Sequence, residues 1–69
     1  DAFVKAGIKP GEPVKVHDER GALIDFGYVD RAYFDVGDGG LPPEIRIGIT
    51  SVLHGQVMYY DSAQVSSVQ

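Results

Sequence analysis

Two histidines stand beside groups with which a histidine can do chemistry. His17 leads into Asp18 and Glu19, and His54 adds a fourth metal-ligand type if the two loops converge. His54 also follows Ser51 by three positions, and His17 can be set against Ser62, giving two ways to pair a hydroxyl nucleophile with a general base. Neither pattern is specific. Neighbouring strand residues point to opposite faces, so His17, Asp18 and Glu19 chelate one ion poorly, and no nucleophile-elbow pattern surrounds either serine. The stretch Gly37-Asp38-Gly39-Gly40-Leu41-Pro42-Pro43 is rich in glycine, but a phosphate cradle needs a helix start or a Lys-Ser/Thr pair behind it, and here two prolines follow. The residue types therefore predict no catalytic set, no cofactor and no metal.

The aromatic residues carry more. Tyr59 and Tyr60 are adjacent on a predicted strand, so one faces inward and the other out. Tyr33 is predicted to face outward as well. Exposed tyrosines bring large contact area and a hydroxyl at low entropic cost. Tyr33, Tyr59, Tyr60 and an outward Met58, with Asp38 and Leu41 in the glycine-rich loop, form the candidate protein-binding surface.

The elements that must position these residues follow from periodicity. Glu44 to Thr50 reads Glu-Ile-Arg-Ile-Gly-Ile-Thr, with Ile45, Ile47 and Ile49 at a strict period of two. This is the expected central strand. Val14 and Val16 point one way from a strand at 13–17, behind a Lys9-to-Pro13 turn. From Leu23 to Val36 alternation runs longer than an ordinary strand, so a bend is expected near Gly27 or near Asp30-Arg31. Ile24, Phe26 and Tyr28 share one side of it, with Leu23, Asp25 and Val29 on the other. After Asp30 the expected inward set is Ala32, Phe34 and Val36. Strands at 44–51, 56–60 and 65–68 complete the set, with a tight turn at His54-Gly55 and a helical turn capped by Asp61. Asp1 and Gly7 are placed to cap a single N-terminal helical turn.

Sixty-nine residues make one domain near the lower limit of independent folding, here a tail at 1–9 and a barrel at 10–68. Neither a disulfide nor an evident metal can staple it, since there is no cysteine and only two histidines. The net charge of −4 repels phosphate backbones and disfavours nucleic acid as the main partner. No apolar run approaches the roughly 20 residues that span a bilayer, so no membrane partner is expected. The lack of cysteine fits a reducing cytoplasm, the default compartment, and does not exclude export. Opening at Asp1 fits a chain with residues missing upstream.

Five short antiparallel strands leave raw edges unless the sheet curls, so the expected fold is all-β, a five-stranded antiparallel small barrel. The layout resembles the SH3-like barrels. Gly11 to Val16 matches a first strand, Phe26-Gly27-Tyr28-Val29 a second, Ile45-Arg46-Ile47 a strand behind a loop, and Tyr60 to Val68 the closing segment. Spacing is similar to that of the electron-transport accessory group, which implies a non-catalytic module that docks on a larger complex; the thin folding margin of so short a chain adds self-association as the other expectation. The opening pattern is also similar to KOW modules, which implies nucleic-acid contact through Lys9, Lys15, Arg20 and Arg31 with stacking by Tyr33. The Ala-Leu-Tyr-Asp-Tyr segment of peptide-binding SH3 domains is missing, so polyproline recognition is not implied. Gly55 to Tyr60 resembles a strand of the plasmid-borne dihydrofolate reductase, a pore-type oligomeric enzyme. Where that family has its pore-lining glutamine this chain has Met58, and Gln56 lies two positions early.

Overall fold

The computed structural model describes residues 1–37 and 39–68. A short helix, α1 (Ala2–Ala6), leads into five strands: β1 (Pro13–His17), β2 (Leu23–Asp35), β3 (Glu44–Ser51), β4 (Val57–Asp61) and β5 (Val65–Ser67), with a 3₁₀ turn at Ser62–Gln64 before the last. All strand pairings are antiparallel, in the order β4-β3-β2-β1-β5. Among the described residues the sheet does not close into the expected barrel by hydrogen bonding, because β4 and β5 occupy its opposite edges.

Local chemistry sets the ends of these elements. The Asp1 side chain accepts from the Val4 N–H, and Gly7 in the left-handed region stops α1 with its N–H on the carbonyls of Phe3 and Val4. Between β3 and β4, the Ser51 N–H donates to the Gln56 carbonyl while Gly55, at a φ of 69°, donates to the Ser51 carbonyl. This is a hairpin whose turn is closed by a left-handed glycine, at the position where the sequence predicts a turn.

The bend in β2 falls at the second expected place. Val29 pairs with Ile49 and Arg31 with Gly48, leaving Asp30 as an extra residue. One unpaired residue reverses which parity faces inward. Before the bulge the inner face carries Asp25, Gly27 and Val29; after it, Ala32 lies opposite Ile47 and Phe34 opposite Ile45. Ala32 packs on the core and Phe34 keeps the expected side opposite Ile45, but Phe34 is 46% exposed, and Val36, beyond the end of β2, is 80% exposed, which corrects its expected inward place. Both sit at the far end of the strand, and β2 stops at Asp35, short of Val36.

The core is aliphatic: Ile8, Val14, Val16, Val29, Ile47 and Ile49 are buried together, with Phe3, Ala6, Ile45, Tyr60 and Val65 packed around them. Ile47 and Ile49 have no exposed surface, as the period-two pattern requires. Gly27 allows the close approach of β2 to β3, since a Cβ there would overlap the Thr50 carbonyl oxygen.

Candidate interaction surface and the buried polar node

Register divides the sequence-predicted residues between two faces. Tyr60 lies opposite Ile47 and Met58 opposite Ile49, so both belong to the inner face, and the expected outward Met58 is corrected. Tyr59 lies opposite Gly48 on the outer face, as does Tyr33 opposite Arg46. Tyr33 and Tyr59 meet edge to face, with ring centroids 6.3 Å apart and planes at 70°. They remain 43% and 45% exposed. Leu41 is exposed in the connection between β2 and β3, and Asp38 lies outside the described residues.

Gly48 gives this pair its floor. A Cβ at Gly48 would lie 2.8 Å from Arg31 Cγ and 3.0 Å from Tyr59 Cε1, so both side chains are folded down over the bare backbone. The Arg31 guanidinium bonds the neighbouring Asp30 carboxylate, whose hydrogen bond and charge raise the Arg31 pKa. Arg46 is held likewise, 2.9 Å from Asp61 and 3.7 Å from Asp35. The outer face here is aromatic, with its arginines already matched to acids.

A second apolar area occupies the other half of β2. Ile24, Phe26 and Tyr28 project outward and are exposed, and Leu23, Ile24, Asp25, Phe26 and Leu53 line a shallow cleft. The alternation that marks this strand in the sequence does not say which side is inner. Charge suggests that Asp25 faces water, yet Asp25 is 1% exposed and the three large apolar residues are outside.

Asp25 tolerates burial because donors converge on it. Its Oδ1 accepts from Ser51 Oγ at 2.8 Å and from the Phe26 N–H at 2.8 Å, and its Oδ2 accepts from the Tyr60 hydroxyl at 2.7 Å. Burial pushes its pKa up, but bonds from Tyr60, Ser51 and the Phe26 N–H, with the nearby charge of His54, outweigh that and hold it below the ordinary 3.8. Burial and then the bond to Asp25 push Tyr60 up to about 12. Sequence reasoning missed this node, because Ser51 and Tyr60 lie 26 and 35 residues from Asp25.

Two of the candidate chemical groups, Ser51 and Asp18, are otherwise engaged. Ser51 Oγ gives its proton to Asp25 and accepts the His54 backbone N–H at 2.9 Å, so backbone rather than imidazole connects Ser51 with His54. The Asp18 carboxylate caps its own turn by accepting from the Arg20 and Ala22 N–H groups. Among the described residues no group of three or more His, Cys, Asp or Glu is placed to hold a metal ion. Gln56 and Met58, the two positions set against the pore-lining glutamine, contact each other at 3.6 Å.

The fold defines a small all-β domain of five antiparallel strands with one short helix. Comparison with family models, curated proteins and solved structures finds no match. No helix among the described residues is long and apolar enough to cross a membrane.

Proposed function

We propose that this chain is a non-catalytic interaction module of the SH3-like small-barrel kind, binding protein through the outer face that carries Tyr33 and Tyr59. The observation that carries this reading is the edge-to-face tyrosine pair, half-exposed over Gly48. A pair already fixed by its partner loses little freedom on binding, which favours a contact surface. Strand order, the bulged second strand and the 3₁₀ turn before β5 support the barrel assignment. Matching of Arg31 and Arg46 to acids favours a protein over a nucleic-acid partner, because phosphate would have to displace Asp30, Asp35 or Asp61.

Photocrosslinking tests the surface. A benzophenone side chain at Tyr33 or Tyr59 is expected to give a discrete adduct in an extract of the source cells, absent when the probe stands at Lys5. Excess wild-type chain should compete it away, and a Tyr33→Ser, Tyr59→Ser double variant should not. Equal labelling from all three positions, or none, overturns the assignment.

A further inference from the structure

Among the described residues β4 is bonded along one side only. Its partner is β3, and it forms the edge of the sheet. The hydrogen bond from the Ser51 N–H to the Gln56 carbonyl fixes the phase of the ladder. Hydrogen-bonded and non-bonded pairs alternate in an antiparallel ladder, so Met58 and Tyr60 direct their N–H and C=O groups to β3. Val57, Tyr59 and Asp61 direct theirs away. The Asp61 N–H fits this phase, since it turns to Gln64 Oε1 at 3.2 Å. Val57 and Tyr59 are left presenting backbone donors and acceptors at the edge.

Edges of natural sheets are usually blunted by charge, proline or a bulge. β4 has none of these from Val57 to Tyr60, and its ladder with β3 is unbroken from Thr50–Val57 to Arg46–Asp61. The opposite edge, β5, is three residues long. We propose that two copies of this chain pair antiparallel along β4, with Met58 of each copy on the two-fold axis. This rests on the interaction-module reading and names the partner.

The register is determined by the groups that are free. Antiparallel pairing joins residues whose backbone groups both point outward, and setting Val57 opposite Tyr59 of the second copy uses the free groups of both residues in both copies. Centring on Tyr59 instead would call on the Asp61 N–H, which already has Gln64. Charge placement agrees. In a chain of net charge −4 two copies repel, but this register puts Asp61 opposite Gly55 and no carboxylate opposite another, with Arg46 already on Asp61. Met58 faces Met58 on the inner side, and Val57 faces Tyr59 on the outer.

Sedimentation of the intact chain across concentration, with charge variants at the axis, tests the pairing. The wild type is expected at twice the 7.5 kDa chain mass. Met58→Lys and Met58→Glu should each sediment as a single chain, and an equimolar mixture should return to double mass, because only a residue on the axis meets itself. Tyr59→Pro removes an outward N–H without touching the β3 ladder and provides the reading if a charge at Met58 unfolds the chain; it too should be a single chain. A wild type that stays at single mass up to its solubility limit, or a dimer that survives these variants, overturns the proposal. Crosslinks from Tyr33 and Tyr59 to a different protein in a single-mass chain would overturn the dimer and leave the interaction reading standing. Loss of those crosslinks in a chain that dimerises through Met58 would do the reverse.

Discussion

The Tyr60 hydroxyl donates to the Asp25 carboxylate at 2.7 Å, tying edge strand β4 to the first half of β2 with β3 lying between them. Three side-chain and backbone donors therefore hold one buried negative charge at the point where three strands meet. Removing a donor from such a charge costs more than removing a neutral pair.

Tyr60→Phe keeps the ring against the core and deletes only that donor. It should destabilise the fold by about 1.5–3 kcal/mol, the range for hydrogen bonds to charged groups. Urea denaturation gives the value. A change well below about 0.5 kcal/mol would show that the carboxylate does not depend on this bond.

The same node sets the pH limits of stability. The Asp25 pKa is lowered below 3.8 in the fold, so the unfolded chain takes up the proton first. Its contribution is complete above that value and is lost as pH falls through the folded pKa. Tyr60 is raised from 10.0 to about 12, so its contribution is complete below pH 10 and disappears as pH rises through 12. Stability against pH should fall at both ends, with Asp25→Asn flattening the acid limb and Tyr60→Phe the alkaline one. Tyrosinate absorbance should show one late-titrating tyrosine that Tyr60→Phe removes.

Two glycines in one sheet should respond differently to a methyl group. Gly27→Ala drives a Cβ into the Thr50 carbonyl, a backbone atom that cannot move without breaking β2–β3 pairing, and should cost about 3 kcal/mol or more. Gly48→Ala meets only the side chains of Arg31 and Tyr59. It should cost about 1–1.5 kcal/mol and separate Tyr33 from Tyr59, visible in aromatic chemical shifts.

Arg46 makes two ion pairs, yet its side chain is 36% exposed and that of Asp61 43%. Water and salt screen such pairs. Arg46→Met should change stability by less than about 1 kcal/mol, and added salt should reduce even that difference.

The all-β class and every element could be read from the chain because they depend on local signals. Ile45, Ile47 and Ile49 announce β3 by period alone, and Asp1 with Gly7 brackets α1. What was hidden depends on pairing between distant segments. The parity of β2 reverses at Asp30, so the sides of Phe26 and Ala32 are settled only against β3. Met58 faces inward because Ile49 is its partner, a relation nine residues away that strand alternation alone does not determine. Asp25 could not be placed inside by hydropathy, since its justification is supplied by Ser51 and Tyr60.

The strand order has one more result. β2 is the middle strand of the sheet with β1 beside it, and the strands that flank this pair, β3 and β5, come from beyond the β2–β3 connection. A cut in that connection gives two fragments, each lacking the neighbours it needs, the later one clasping the earlier from both sides. The buried core is divided between the pieces, Ile8, Val14, Val16 and Val29 in the first and Ile47 and Ile49 in the second, so together they have the interlocked geometry of a split reporter, in which recovery of structure signals that the halves have met.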